Sequence, residues 1–507
     1  MEFLLYSFLL LLPLFPLYFL IKFKSSRNDG LLPPPGPAKL PIIGNLHQLG
    51  KRPPHQELRR LSQKYGPVML LQLGSIPTLV ISSAEAAKQV LKTHDLDFCT
   101  RPPLAGMKRL SYNYLDVIFA PYGEYWREIR KICVLELLSA KRVQSFKVIR
   151  EEEIASVIYS ISASAPSASV DVFEMFARFT NRTLCRVAFG GMKFDDGKLK
   201  ETLDEITSLM SGFSASDIFP RVGWIIDRLT GMHGRLEKCC HDLDKYFQDI
   251  VDEHLNRQER LKSSEHEYDL IDVLLKLEKD LTSPIRIIND HIKAILMNVF
   301  LAGVDASAVT MNWAMAELIK NPAAMKKVQG EVRSYNVGRN TDKVEEKDLD
   351  HLQYLKMVVR ETLRLHSPLP MLLPRESMNN CKIDGYDIKP KTRVLVNAWA
   401  IGRNPAYWYK PDEFNPERFI DKYSNSTDYG GQQDFEYLPF GGGRRGCPGI
   451  NMGLVTTELA LANMLYCFDW ALPAGMKIED VSMDESSGMV VHKKDHLQLV
   501  PIKKKNL

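Results

Sequence analysis

Phe440-Gly441-Gly442-Gly443-Arg444-Arg445-Gly446-Cys447-Pro448-Gly449 is the stretch that decides how this chain is read. A lone cysteine ends a glycine-rich loop beside two arginines, and a helical run starts near Ile450. Glycines let backbone amides turn towards a sulfur, while nearby guanidinium groups and a following helix N-terminus favour thiolate over thiol. Such a thiolate suits metal ligation, which makes Cys447 the candidate metal ligand. Gly441, Gly443 and Gly446 also fit a dinucleotide-type Gly-x-Gly-x-x-Gly, but Pro439 stands where a strand should end and no Lys-Ser/Thr follows for a phosphate loop. A buried free cysteine is the other alternative.

Working outward, Glu361 and Arg364 lie one helical turn apart, where a carboxylate can take a guanidinium in a two-point bond. Taken alone, such a pair is usually a surface salt bridge. Trp126 and Arg130 are four apart on another helical run. A long helix starts at a cap, either Ser283 before Pro284 or Asn289, and runs to Lys320 before Asn321-Pro322. It spans roughly 50 Å and is apolar all round its middle, so it must cross the core. Ala302-Gly303 at its centre removes bulk where another group can press against the backbone. Short β-branched runs at 68–73, 78–82 and 393–397 read as strands, and most of 140–366 carries helical periodicity. The polar stretch 424–433 reads as a surface loop.

In their order along the chain, Glu361-x-x-Arg364, Pro416-Glu417-Arg418-Phe419 and the cysteine loop resemble the cytochrome P-450 haem-thiolate family over essentially the whole chain. The resemblance is closest to plant microsomal members through Pro34-Pro35-Gly36-Pro37 and the run from Pro439 to Arg445. It implies the cytochrome P-450 fold, mainly α with a minor β region. It implies haem b with Cys447 as proximal iron ligand, and Trp126, Arg130, Arg375, Phe440, Arg445 and Gly449 as cofactor-binding residues. Glu361, Arg364 and Arg418 would form the family's buried ion triad. Electrons would come from NADPH through a membrane-bound reductase, docking near Arg127, Lys131, Lys141 and Arg142, charges that equally suit a solvated helix face.

One departure stands out. The family's distal helix typically reads Ala/Gly-Gly-x-Asp/Glu-Thr-Thr/Ser, and this chain reads Ala302-Gly303-Val304-Asp305-Ala306-Ser307. Ala306 replaces the threonine whose hydroxyl holds the proton-delivering water, and alanine neither donates nor accepts. Three explanations compete: a substrate hydroxyl or amine supplies the hydrogen bond; Ser307 or Asp305 relays protons; or oxygen is not inserted and the reaction is oxidative cyclisation, coupling, desaturation or redox-neutral rearrangement. Asp305, Ala306 and Ser307 are therefore the candidate catalytic positions. A haem-binding protein without turnover is a further alternative.

The 507 residues carry 45% hydrophobic and 25% charged residues, values of a globular body rather than of a disordered or polytopic membrane chain. A net charge of +4 is too small over this length for a nucleic-acid footprint, so no nucleic-acid partner is expected. Eight scattered cysteines without Cys-x-x-Cys argue against zinc or iron–sulfur frameworks and against structural disulfides. Residues 3–21 are uncharged and near the ~20 needed to cross a bilayer, and Lys22, Lys24 and Arg27 follow directly. That charge bias keeps everything after the span cytosolic, on the endoplasmic reticulum for a microsomal protein. The competing reading is a cleaved secretory peptide, against which the basic residues lie on the wrong side of the apolar run and no Ala-x-Ala pattern follows. The expected organisation is a membrane anchor over 1–22, a basic and proline-rich hinge over 23–37, and a haem-thiolate domain over 38–507.

The resemblance places the substrate pocket among 108–119, 206–219, 298–306, 367–373 and 487–490. Val304, Leu369, Met371 and Met489 there suggest a mid-sized lipophilic substrate such as a terpenoid, alkaloid or phenylpropanoid, although Met and Leu also serve as plain core. Residues 213–224 mix aromatic and small side chains, which suits either a dip into the membrane or packing against the body.

Overall fold

The protein is described by a computed structural model over residues 31–50, 52–163, 165, 168–190, 196–210, 214–260, 269–280, 284–335, 342–420 and 434–504. The apolar run 3–21, the first part of the hinge, Ser283 and the stretch 424–433 lie outside these residues.

The long helix spans Asn289–Lys320, the later of its two expected starts. His291, one turn in, reaches back with Nδ1 to accept the Ile288 N–H at 3.1 Å. At the other end Asn321 Nδ2 donates to the Glu317 carbonyl at 2.8 Å, and Pro322 opens the next helix, Pro322–Tyr335. Among the described residues this helix alone is long and apolar enough to cross a membrane. Its apolarity serves the core instead. Ile292, Ile295, Leu296, Phe300 and Val304 join one buried cluster, and Ala308, Val309, Met311, Trp313 and Met315 join a second. The helix packs along Val172–Phe189, Ile450–Cys467 and Gln353–Leu365.

A four-stranded sheet forms beside this helical body in the order Val68–Leu73, Ile76–Ile81, Arg393–Val396, Arg375–Glu376. The first pair is an antiparallel hairpin with Val68 opposite Ile81, and Ile76–Ile81 runs parallel to Arg393–Val396. The strand expected at 78–82 starts two residues earlier, because hairpin pairing carries it back to Ile76 opposite Leu73. A second sheet, Val170–Asp171, Gln498–Lys503 and Phe468–Ala471, had no clear sequence signal. One of its strands has two residues, too short for any alternation to register. All eight cysteines are free thiols.

Candidate active site

The cysteine loop folds as its glycines require. Gly441 and Gly443 hold φ of +68° and +65°, and a Cβ on Gly443 would meet the Leu91 carbonyl oxygen at 2.1 Å. Only glycine fits there. The Cys447 N–H donates to the Phe440 carbonyl at 2.9 Å, and Gly449 caps the helix Ile450–Cys467 directly behind the sulfur. Burial pushes the Cys447 thiol up, while the Gly449 N–H and the Arg130 charge pull it down. The expected help from the loop's own arginines is absent. Arg444 turns to Asp95 at 2.9 Å, and Arg445 turns to the carbonyls of Cys99 and Ala120 at 2.7 and 2.6 Å. Guanidinium donors go to the nearest acceptors, and backbone carbonyls outnumber one sulfur.

Those two arginines belong to a larger cationic shell. Arg130 donates to the Gly446 carbonyl at 2.6 Å and Arg375 to the Gly442 carbonyl at 2.8 Å. The Arg445 guanidinium lies 4.0 Å over the Trp126 ring, whose Nε1 donates to the Val117 carbonyl at 2.9 Å. Arg101 donates to the carbonyls of Ile118, Leu373 and Pro374. Burial and mutual repulsion depress Arg101 well below the usual arginine range and pull Arg445 down to about 9. The carboxylates facing these four guanidinium groups are Asp95 and Asp116. Burial raises Asp116, against hydrogen bonds from Asn298 and from the backbone of Phe119 and Ala120.

Three buried guanidiniums and the half-buried Arg130, facing two carboxylates, leave positive charge to be met by an anionic group. There is also room for one. Ala302 is exposed to a water-sized probe although it lies mid-helix between the two buried clusters, and Cys447 is exposed likewise while protein encloses it enough for desolvation to dominate its titration. Both observations hold together if the two residues line an internal void. The residues thus fit haem b, a flat apolar group with an iron for the sulfur and two carboxylates for the arginines.

Residues 302–307 divide their tasks. A Cβ on Gly303 would lie 2.7 Å from Leu184 Cδ1, so the group pressing on that glycine is the neighbouring helix. Ala302 and Ala306 are one turn apart on the accessible face. Asp305 Oδ2 lies 3.6 Å from His492 Nε2, and Asp305 faces a small cavity it shares with Lys200, Asp204 and Thr207. Ser307 is buried, with Oγ 3.9 Å from where Gly453 would carry a Cβ. The structure therefore separates Ser307 from Asp305. Thr310, the next hydroxyl along, donates to the Ala306 carbonyl at 2.8 Å.

Glu361, Arg364 and Arg418 meet in one network. Arg364 grips Glu361 at 2.7 and 2.8 Å, and Arg418 Nε adds a third bond at 2.9 Å. Arg364 and Glu361 are fully buried, and Arg364 also donates to the carbonyls of Gly402 and Pro411. The five expected pocket segments converge too. Leu110, Val117, Phe119, Ile206, Phe300 and Val304 share one apolar cluster, against which Leu373 and Met489 pack. Met371 does not join them; it packs on the cluster of Leu58, Met69 and Leu395, because successive residues 371–373 fan out to three different cores.

Two participants had escaped the sequence reading. Arg101 belongs to the cationic shell, and its only signal was its place before Pro102-Pro103. Asn298 donates to Asp116 at 3.0 Å and accepts the N–H of Val117 at 3.0 Å, pinning the loop whose carbonyls receive Arg445 and Trp126. A polar residue in the helix's apolar stretch was the available clue.

The comparisons with known proteins agree with this geometry. The cytochrome P450 family model matches residues 34–500. "Cytochrome P450 71B10" of Arabidopsis thaliana is 48% identical over 493 residues, 96% of each chain. "Cytochrome P450 71A9" of Glycine max is 49% identical over 482 residues, 94% of each chain. A solved zebrafish cytochrome P450 with abiraterone superposes at TM-score 0.75 and 25% identity, over 90% of this chain and all of that one. A loop built to present one sulfur, a buried excess of arginine and these matches give one conclusion: the chain belongs to the cytochrome P450 family, haem b oxidoreductases of the monooxygenase type that draw electrons from NADPH through a reductase.

Proposed function

We propose that the chain is a plant-type microsomal monooxygenase acting on a mid-sized lipophilic specialised metabolite. The observation that carries this reading is Cys447, presented by its glycine loop beside the buried Arg101, Arg375 and Arg445 and the half-buried Arg130. Haem b, when bound, supplies the oxygen activation and electron transfer that no side chain provides. Cys447 would ligate its iron, and Arg101, Arg130, Arg375 and Arg445, with Trp126 beneath Arg445, would hold its carboxylates. Phe440 and Gly449 shape the turn around the sulfur. Ala302 and Ala306 leave space on the accessible face of the long helix, while Asp305, paired with His492, faces a separate small cavity. With no hydroxyl at 306, hydrogen bonding near the reacting position falls to the substrate, or to water relayed from Asp305 or Ser307.

The apolar wall formed by Val304, Leu373 and Met489 supports a lipophilic substrate. Leu40 and Ile42 are exposed, as are Val222, Trp224, Ile225 and Leu229. Ser75, next to the hairpin that bridges to Gly44, donates to the Ile218 carbonyl at 3.1 Å, which ties the two apolar segments together. That face suits a bilayer surface, with 1–22 as anchor, 23–37 as hinge and 38–507 in the cytosol. Exposed Arg127, Lys131 and Lys141 support reductase docking beside the cysteine loop. The test is turnover of plant metabolite extract by the full chain with a plant reductase, NADPH and heavy-isotope dioxygen. A labelled product is expected; a new product that stays unlabelled in every assay contradicts oxygen insertion.

A further inference from the structure

We propose that Glu485 is a positioning residue for the substrate: one buried carboxylate joins the roots of the two wall segments 367–373 and 487–490 and so sets the spacing between them. The inference rests on the haem-thiolate reading and extends it to how the pocket keeps its width.

Glu485 stands in Met483-Asp484-Glu485-Ser486, just before the second wall segment. The structure buries its side chain to 6% exposure. Oε2 accepts from His55 Nε2 at 2.6 Å and Gln56 Nε2 at 2.8 Å, and Oε1 accepts from Trp399 Nε1 at 3.1 Å. Arg403 adds charge from its place 4.1 Å over the Trp399 ring. A carboxylate taken out of water is tolerated only where donors surround it, so its position is sharply defined.

The network reaches both wall segments. His366 lies at the head of the first, with Nε2 2.7 Å from Glu317 and Nδ1 3.9 Å from Glu485 Oε1. Its ring stacks on Trp313 at 4.0 Å, nearly parallel. Glu485 itself stands two residues before the second segment. Backbone bonds repeat the link: Val491 N–H donates to the Pro368 carbonyl and Trp399 N–H to the Pro370 carbonyl, each at 3.0 Å. Leu373 and Met489, carried by these segments, then meet the same cluster as Val304. The hydrogen bonds to Glu485 come from His55, Gln56 and Trp399, which lie outside both wall segments, so its influence passes through the elements it ties.

The test uses full-length holoprotein and two probes of different bulk, imidazole and 4-phenylimidazole, with Kd read from the haem spectrum. Glu485→Gln keeps the shape, but its single oxygen serves either His55 and Gln56 or Trp399, and its NH2 group then faces the remaining donor. The ratio of the two Kd values is expected to move by about fivefold or more, and Glu485→Asp is expected to recover part of the shift. Leu349→Ala, a destabilised control in the other core, should leave the ratio within about twofold. A Gln variant whose ratio stays put while its thermal midpoint falls like the control's would show a purely structural carboxylate and overturn the proposal. If Glu485→Gln fails to fold, Glu485→Asp carries the same comparison. A wild-type protein whose spectrum does not respond to either azole contradicts the haem-thiolate reading, and the proposal falls with it; a changed spectrum with an unchanged ratio removes Glu485 alone.

Discussion

At the scale of single residues, Ala306 bears most directly on chemistry. Thr310 commits its hydroxyl to the Ala306 carbonyl, so a hydroxyl introduced at 306 supplies a donor that alanine cannot. Ala306→Thr is expected to alter the product ratio or to reduce hydrogen peroxide released per NADPH consumed; unchanged values of both would show that this position has no special role. Glu361 is constrained differently, by three guanidinium bonds and no solvent. Glu361→Leu leaves Arg364 buried without its partner, which costs about 3–5 kcal/mol. Urea unfolding should show a large drop in midpoint, or no folded protein. The spacing Glu-x-x-Arg was legible because both residues sit on one turn. Arg101 was not, since its partners lie 17 and about 270 positions away in sequence.

At the scale of elements, the long helix shows how one run of sequence serves several ends. Its length, apolar middle and proline stop were visible in advance because they are local and periodic. The direction each small residue faces was not visible, and Gly303 proves to accommodate Leu184. Gly303→Ala forces the flexible end of that leucine to move and is expected to cost about 1 kcal/mol, at the low end for overpacking, measured by the same unfolding titration. Asn298 matters more, because it links this helix to the loop that supports Arg445. Asn298→Leu strips a donor from buried Asp116 and should cost about 1–3 kcal/mol. It should also lower haem bound per protein, read from the ratio of haem to protein absorbance; full haem retention would contradict the clamp. Residues 371–373 carry the same lesson, since three neighbours pack on three cores and no sequence spacing announces it.

At the scale of the whole molecule, buried charge makes stability depend on pH. Burial opposes ionisation of Glu485, but the His55 hydrogen bond and the charges of His55, Arg403 and His366 outweigh it and hold the carboxyl down at about 2, against an ordinary 4.5. A carboxyl whose folded pKa is depressed contributes stability that is fully present above the unfolded value and lost as pH falls through the window between the two. Holoprotein should therefore weaken from about pH 4.5 towards pH 2, and Glu485→Gln should flatten that limb; unfolding titrations across the range decide it. The central claim concerns Cys447, and the reduced carbon monoxide spectrum tests it most directly. Wild-type holoprotein is expected to show the long-wavelength band of thiolate-ligated haem and Cys447→Ser to lose it, whereas a Cys447→Ser protein that keeps the band would contradict the account.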